Sequence, residues 1–313
     1  MTQDIRIPGQ PGRDADTLAV DDQARELLEG AIDLHVHPSP SPFPRRIGIY
    51  EAAKQAAAAG FEAIFVKSHH HSMVSDVQAL SEAMGSLPLP VYSGVALNNQ
   101  VGGINPYAVE LALQQGGRVV WFPTIASHRH ICVHDSELKF PSSTLEMRHN
   151  EPVTIRDESG HVLEEVRDIL ALIKDQDAIL AGGHLGIEEL DLLIRTAHEM
   201  GLRRVLVNHP NFVIGATPGQ CAEWAQLGAY FEHSLCMYDE RSTFFHWKVD
   251  VLLDYVKAVG VERTLLGSDL GQANNPLPIE SYEKIVRALL EEGVSGEDIR
   301  RMVGGTAREV AGL

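Results

Sequence analysis

The sequence has few cysteines and lacks the long apolar segments that mark several protein classes. Its 313 residues include three cysteines, no two of them in CxxC spacing, which argues against a disulfide framework and a cysteine-rich zinc site. No apolar run approaches the roughly 18 residues of a membrane-spanning helix, and the N-terminus has no basic start followed by an apolar core. We therefore expect a cytoplasmic protein that has no membrane partner.

Basic residues are also scarce in this chain. It has 26 Lys and Arg against 43 Asp and Glu, and its formal net charge is -17. Nucleic acids and anionic membranes bind clustered basic residues, so we predict a small-molecule substrate and no nucleic-acid partner. Hydrophobic residues make up 44% of the chain, which is enough for a large buried core. The composition is compatible with a homo-oligomer.

Short apolar runs alternate with longer amphipathic segments along most of the chain. Eight such runs begin at Ala31, Phe61, Leu89, Arg118, Ala178, Arg203, Ala229 and Arg263. The predicted helices between and after them cover residues 50–59, 75–85, 106–115, 163–176, 187–200, 217–227, 249–259 and 278–291. Repeated βα units have this pattern. Eight units predict an α/β protein with a closed (β/α)₈ TIM barrel. We expect one domain over residues 21–313, preceded by a flexible arm at residues 1–20.

The connection at residues 126–161, after the fourth predicted strand, is unusually long. It exceeds the length of an ordinary turn between a strand and a helix, so we predict a β4–α4 loop insertion that borders or covers the active site. Within it, PVTIRDESGHVL predicts a short hairpin that turns at Glu158, Ser159 and Gly160.

Polar residues end most of the apolar runs. In a parallel barrel these positions face the active site, because the loops at the carboxyl ends of the strands build it. A single HxH pair is weak evidence in a chain with 15 histidines, but here five of the eight strand ends carry histidine and the eighth carries aspartate. The residues at these strand ends are His35, His37, Lys67, His69, His184, His209, His233 and Asp269.

Imidazole and carboxylate groups are typical ligands of divalent transition metals. We therefore predict one or two ions per chain, Zn²⁺, Mn²⁺ or a similar metal, bound by residues at the strand ends. The predicted ligands are His35, His37, His184, His209 and Asp269. His233 is predicted as a catalytic residue that contacts the substrate or supports a ligand.

These motifs together resemble the amidohydrolase superfamily of metal-dependent hydrolases. The resemblance rests on DLHVH after the first strand, a histidine after strands five and six, and GSD after strand eight, and it covers essentially the whole chain. RVVWFPT, VGGINP and FVKSHH are similar to an amidohydrolase-like subgroup that carries mainly a domain-of-unknown-function label. The resemblance implies that Asp269 is both a metal ligand and the proton shuttle for the activated water, and that the other ligands are His35, His37, His184 and His209.

One departure from the superfamily pattern concerns a second metal ion. Two-metal members usually take a bridging carboxylated lysine or glutamate from strand four, or a related acid from strand three. Here strand four ends in Pro123, Thr124 and Ser127. Lys67 is the lysine that could be carboxylated and bridge two ions, since burial favours the neutral amine. The alternatives are that Lys67 contacts the substrate or transition state, or that it forms a structural ion pair.

Further candidates lie on the predicted loops at the barrel mouth. His69 is predicted to bind substrate, and so is His128 in the long connection, where His130 is a second choice. Asn98 ends strand three and is positioned to orient a substrate. Arg45 is predicted to bind a carboxylate or phosphate group.

The predicted function is metal-dependent hydrolysis of a C–N or C–O bond in a small molecule, which could be an amide, a cyclic amide, a lactone or an ester. An alternative is a mononuclear metal-dependent lyase, such as a decarboxylase or hydratase, or a deaminase; the missing bridge on strand four favours this alternative. A minor alternative is a non-catalytic barrel that binds a metal or another ligand. Asp269 argues against it, because a structural metal site needs no spare base.

Overall fold

The computed structural model of the protein describes residues 22–137 and 147–313. Within these residues, nine short strand segments form parallel pairs in chain order. Ser93 interrupts the third barrel strand, so that its first part pairs with β2 and its second part with β5. The segments are β1 (Ile32–Val36), β2 (Ala63–Val66), β3 (Val91–Tyr92), β4 (Gly94–Ala96), β5 (Val119–Trp121), β6 (Ile179–Ala181), β7 (Val205–Asn208), β8 (Tyr230–Ser234) and β9 (Thr264–Gly267).

The first and last strands are joined at their carboxyl ends. Val36 forms a parallel bridge with Leu270. The N–H of Asp269 donates to the carbonyl of His35, and the N–H of His37 donates to the carbonyl of Leu270, both at 2.7 Å. The strand order therefore runs from β1 to β9 and returns to β1. This is the (β/α)₈ TIM barrel that the sequence predicts, and the fold class is confirmed.

Helices follow the strands with bounds that the sequence predicts closely. Each of the eight predicted helices lies within one residue of an observed one at both ends. The helices are α1 (residues 22–26), α2 (Ile49–Ala58), α3 (Val74–Met84), α4 (Pro106–Gln114), α5 (His128–Glu137), α6 (Glu164–Asp175), α7 (Ile187–Glu199), α8 (Pro218–Gln226), α9 (Val249–Val259), α10 (Pro278–Glu291), α11 (Gly296–Arg300) and α12 (Thr306–Ala311), with a π-helical segment at Arg301–Gly305.

Apolar side chains fill the interior of the barrel up to its mouth. One buried cluster combines residues of the strands with residues of the C-terminal α12, among them Phe65, Trp121 and Val310. The β1–β2 register shifts between Asp33 and Val36. Ile32 and Leu34 belong to the interior cluster, and at this irregularity the next residue, His35, also contacts interior groups, the side chains of Glu232 and Lys67.

The long connection between β5 and β6 is partly regular. It begins with α5, which the sequence analysis does not predict. Arg156 and Val162 form an antiparallel bridge, and the N–H of Asp157 donates to the carbonyl of His161 at 2.8 Å, which confirms the predicted hairpin. The part of this connection at residues 138–146 and the predicted arm at residues 1–20 lie outside the described residues. In the described part of the chain, no helix has the length and apolarity needed to cross a membrane.

Candidate metal centre

Three side chains meet where the first and last strands join. His35 lies in β1, His37 follows β1 directly, and Asp269 is the second residue after β9. Asp269 Oδ1 lies 3.3 Å from His35 Nε2 and 3.0 Å from His37 Nε2. Ligand atoms of the three residues all lie within 4.8 Å of one another. Both histidines are buried, whereas 13% of the Asp269 side chain is exposed. This arrangement offers two imidazoles and one carboxylate to a divalent ion.

Hydrogen bonds at Nδ1 orient both histidines. His37 Nδ1 lies 3.0 Å from the carbonyl oxygen of Lys67, which only accepts, so Nδ1 donates and Nε2 carries the lone pair. His35 Nδ1 lies 2.6 Å from Glu232 Oε1, and a carboxylate holds a metal-binding histidine in the same tautomer. Both lone-pair nitrogens therefore face Asp269.

Burial sets the protonation states around this cluster. It lowers the pKa of His37 to about 3 and that of His209 to about 4, so both are neutral at neutral pH. Burial opposes ionisation of Asp269, but the adjacent His35 and His37 hold its pKa below the usual range. A neutral His37 Nε2 and the Asp269 carboxylate are then two acceptors 3.0 Å apart, an arrangement that a bound cation stabilises.

Two further histidines extend the cluster across the barrel mouth. The ring centroids of His184 and His209 lie 4.8 Å apart, and His209 lies 6.2 Å from His35. His184 Nδ1 lies 2.7 Å from His130 Nδ1. In the described part of the chain, His209 Nδ1 is buried without a hydrogen-bond partner, which is unusual for a buried polar atom. The structure thus brings together all five predicted ligands; their role in metal binding stays a prediction.

Two of the candidate ligands have a backbone conformation that favours glycine. The φ angle is 30° at His209 and 53° at Asp269. Such conformations cost on the order of 1–3 kcal/mol for other residues and cluster at functional sites. The N–H of His209 donates to the carbonyl of Glu232 at 2.7 Å, so strand pairing holds this conformation in place.

Lys67 lies in contact with the same cluster. Its Nζ lies 3.1 Å from His35 Nε2 and 5.3 Å from the centre of the Trp121 ring. Burial lowers the pKa of the amine to about 8, which favours the neutral form more than in solution. The lysine at the end of β2 therefore contacts a nitrogen of His35 that the predicted metal ion would bind.

Glu232 is a site residue that the sequence analysis missed. It is fully buried, and besides its contact with His35 its Oε2 accepts a hydrogen bond from Asn208 Nδ2 at 2.9 Å. The signal was present in the sequence, because AYFEHSL carries a carboxylate in the middle of an apolar run. A buried carboxylate needs partners inside the barrel.

His233 lies on the opposite face of β8. Its ring packs 5.2 Å from that of Tyr255 in α9, and its Nδ1 lies 3.0 Å from the hydroxyl oxygen of Tyr238. Since side chains alternate along a strand, Glu232 takes the interior position and His233 faces the helices. The structure does not bring the predicted catalytic His233 into contact with the His35–Asp269 cluster.

The predicted substrate-binding residues fall in different places. His69 and Arg45 line a cavity of about 440 Å³ at the mouth. The ring of His69 lies 4.8 Å from that of His37. His128 instead lines a separate cavity, and its Nε2 lies 3.5 Å from Cys132 Sγ. His130, the second choice in the sequence, lines the main cavity.

Asn98 uses its side chain to hold two loops together. Its Nδ2 donates to the carbonyl of His69 at 2.8 Å and to Thr124 Oγ1 at 2.7 Å. Its Oδ1 accepts the N–H groups of Thr124 and Ala126 at 2.9 and 3.0 Å. With these four bonds the amide is fully engaged, so the structure gives Asn98 a positioning role and leaves no group for substrate.

The sequence matches a known family over most of the barrel. The family of unknown function DUF6282 matches residues 30–232. No curated protein matches the sequence. The resemblance to a subgroup with a domain-of-unknown-function label is confirmed.

Solved structures with a similar fold include two amidohydrolases and a decarboxylase. An amidohydrolase from Pseudomonas aeruginosa has a TM-score of 0.60 and 11% identity, covering 94% of this chain and 99% of that chain. An amidohydrolase from Burkholderia multivorans with bound zinc has a TM-score of 0.58 and 14% identity, and the match covers 90% of this chain and 99% of that chain. A 2,6-dihydroxybenzoate decarboxylase complexed with 2,6-dihydroxybenzoate has a TM-score of 0.57 and 12% identity, and the match covers 91% of this chain and 100% of that chain. At these identities the likeness is one of fold.

Proposed function

This chain belongs to the family of unknown function DUF6282, and on that premise we propose that it is a metal-dependent hydrolase that cleaves a C–N or C–O bond of a small molecule. The observation that carries the proposal is the convergence of His35 Nε2, His37 Nε2 and Asp269 Oδ1. The fold shared with a zinc-containing amidohydrolase supports it. Suitable substrates include amides, cyclic amides, lactones and esters.

We propose that His35, His37 and Asp269 hold Zn²⁺ or a similar divalent ion, with His184 and His209 completing the site. The donor set of imidazoles and a carboxylate fits such an ion, and so does the unpartnered Nδ1 of His209. When bound, the ion would polarise a substrate carbonyl and lower the pKa of water towards roughly 7.

The residues of this chain would supply the other parts of the reaction. Asp269 is the member of the His35–Asp269 cluster that is most exposed to the mouth, so we assign it the proton transfer from water to the leaving group. Glu232 and the carbonyl of Lys67 hold the two histidines in place. His69 and Arg45 lie on the cavity wall, where they would orient the substrate.

The experiment is a metal-exchange assay on a panel of amides, lactones and esters. Protein treated with a chelator should lose hydrolysis and regain it when Zn²⁺ or Mn²⁺ is added. Hydrolysis that persists in the metal-free protein, or full turnover by Asp269→Asn, would contradict the proposal.

A mononuclear lyase is the second candidate function. The specific observation is the end of β5, the fourth barrel strand, where Thr124 bonds to His69 and Asn98 and Ser127 Oγ donates to the carbonyl of His184 at 2.6 Å. These neutral groups would not bridge two ions. One solved structure with the same fold is a decarboxylase.

Metal content would distinguish the two candidates. Two ions per chain together with a carboxylated Lys67 would favour the hydrolase with Lys67 as the bridge. One ion per chain and release of CO₂ from an aromatic carboxylate would favour the lyase.

A further inference from the structure

The cavity beside the proposed metal centre contains two polar atoms that no protein group satisfies. In the described residues, Arg45 Nε and Gln272 Oε1 are buried without a hydrogen-bond partner. Both residues line the cavity of about 440 Å³, and their backbones form an antiparallel bridge. Paired residues of this kind have Cα atoms about 4.5–5.5 Å apart. Because buried polar groups normally have partners, this pair offers one donor and one acceptor to a ligand in the cavity.

Arg45 gives the cavity wall a positive charge. Burial lowers its pKa to about 10, so the guanidinium stays protonated at neutral pH, and Asp269 attracts it only through space. Arg148 also lines the cavity but is exposed. Within the described residues, Arg45 therefore gives the inner wall a positive charge in a protein of net charge -17.

Gln272 adds an acceptor next to this charge. Its side chain is 8% exposed, and its Nε2 donates to the carbonyl of Asp269 at 3.0 Å. This bond fixes the orientation of the amide and leaves Oε1 as an acceptor. A ligand that satisfies Gln272 must bring an N–H or O–H group close to the group that binds Arg45.

Apolar side chains cover much of the remaining wall. Phe43, Ile125, Ile131 and Phe244 line the cavity. Phe43 packs with its ring centre 5.2 Å from that of His70. The cavity volume lies in the range of small-ligand sites, about 300–1,000 Å³. The wall therefore suits a ligand with an apolar body the size of a ring.

We propose that this cavity binds a small monocarboxylate that has an N–H or O–H donor beside the carboxylate and an apolar body. The planar guanidinium of Arg45 matches a carboxylate, and its single charge fits a monoanion better than a phosphate dianion. Gln272 Oε1 accepts the neighbouring donor, and the apolar body packs against Phe43 and Phe244. The proposal names the substrate class of the hydrolase proposed above and rests on that function for calling the ligand a substrate.

Phenyllactate is a probe that carries all three features and has no bond for a hydrolase to cleave. We compare its binding to the zinc-loaded protein with that of 3-phenylpropionate, which lacks the donor, and of phenyllactamide, which lacks the carboxylate. Calorimetry should show phenyllactate binding about 10- to 100-fold more tightly than the amide. It should bind about 2- to 10-fold more tightly than 3-phenylpropionate.

The matched variants are Arg45→Met and Arg46→Met. Arg46 lies next to Arg45 in sequence but outside this cavity, where it pairs with Glu280 at 3.2 Å and donates to the carbonyl of Asn275. Arg45→Met should abolish the preference for phenyllactate over phenyllactamide, while the Tm of the variant stays that of the wild type. Arg46→Met removes the same charge and should retain the preference. Gln272→Met should abolish only the preference over 3-phenylpropionate.

Several outcomes would overturn this proposal. The first two are equal dissociation constants for phenyllactate and phenyllactamide, and no binding of phenyllactate at millimolar concentration. The other two concern the variants: Arg45→Met binds phenyllactate like the wild type, or Arg46→Met loses as much affinity for phenyllactate as Arg45→Met does. Since these probes report binding of the acid without turnover, Arg45-dependent binding without metal-dependent hydrolysis would contradict only the proposed function. Metal-dependent hydrolysis of neutral esters without Arg45-dependent binding would contradict only the ligand class.

Discussion

Glu232 is expected to control metal affinity without contacting the metal. It holds His35 Nδ1 at 2.6 Å, so it fixes the ring and raises the basicity of Nε2. Glu232→Gln keeps the shape of the side chain but removes its charge. We expect metal affinity to fall about 10- to 100-fold, measured by competition with a chromophoric chelator.

The control for this prediction is another carboxylate with buried partners. Glu189 accepts hydrogen bonds from Thr154 Oγ1 and from the N–H of Ile155, outside the metal centre. Glu189→Gln should leave metal affinity unchanged even where it lowers stability. If Glu232→Gln binds the metal as tightly as the wild type does, His35 needs no carboxylate partner to bind it.

Gly267 leaves the space that Glu232 occupies. A Cβ atom at Gly267 would lie 2.8 Å from Cδ of Glu232, closer than real Cβ contacts, and 3.0 Å from its Oε1, which is also tight. Gly267→Ala should therefore displace Glu232, lower the free energy of unfolding by about 1–3 kcal/mol and weaken metal binding. Urea unfolding and the same chelator competition measure both effects.

Gly219 provides the matched comparison in helix α8. The nearest atom to its added Cβ would be Thr217 Oγ1 at 3.9 Å, an ordinary contact. Gly219→Ala should be neutral or stabilise the helix by about 0.5–1 kcal/mol. Equal changes in stability and in metal affinity in the two alanine variants would show that glycine at position 267 is not needed to make room for Glu232.

At the scale of the elements, Asp33 ties β1 to the segment after β9. Its Oδ1 accepts the N–H groups of His35 and Ser268 at 3.0 and 2.9 Å, and Ser268 Oγ donates to the carbonyl of His35 at 3.0 Å. Asp33→Ala would leave two buried N–H groups unsatisfied, each worth about 1–3 kcal/mol. We expect a loss of about 2–4 kcal/mol in urea unfolding of the metal-free protein.

Asp33→Asn tests whether the two hydrogen bonds suffice without a carboxylate, because asparagine keeps an oxygen that can accept the N–H groups of His35 and Ser268. It should cost less than Asp33→Ala. An alanine variant as stable as the wild type would mean that the two strand ends hold together without this carboxylate.

Helix α5 shows a limit of sequence reasoning at this scale. The segment HRHICVHDSE has little apolar periodicity, so nothing in it predicts a helix. The structure holds its start through Ser127, whose Oγ accepts the N–H of His130 and donates to the carbonyl of His184. A helix that tertiary contacts hold in this way is not visible in local sequence.

At the scale of the whole molecule, metal binding should add to stability. A ligand that binds only the folded protein stabilises it, by about 2.7 kcal/mol at a concentration 100 times its Kd. Chelation should therefore lower Tm by several degrees, and added Zn²⁺ should restore it. Differential scanning calorimetry measures this shift.

The double variant His35→Ala/His37→Ala serves as the control, since it lacks the two histidines of the His35–Asp269 cluster. Its Tm should not respond to chelator or Zn²⁺. A Zn²⁺ response of wild-type size in this variant would place the bound ion elsewhere.

The barrel and most of the cluster could be predicted because each depends on a local pattern. Apolar runs that end in His35, His184 or Asp269 predict both a strand and a polar residue at the barrel mouth. The choice between Glu232 and His233 depends on which face of β8 turns inward, and that depends on neighbouring strands. The irregular β1–β2 register between Asp33 and Val36 is likewise a product of pairing, not of local sequence.

The join between the first and last strands also has a consequence for biosynthesis. Asp33 and Ser268, which bond across this join, are separated by 235 positions in the chain. During synthesis on the ribosome, β1 with His35 therefore emerges long before the segment that carries Ser268 and Asp269. Contacts so distant in sequence form slowly, since a long loop must close first. Metal loading should thus follow the joining of the first and last strands, and it would report that the barrel has closed.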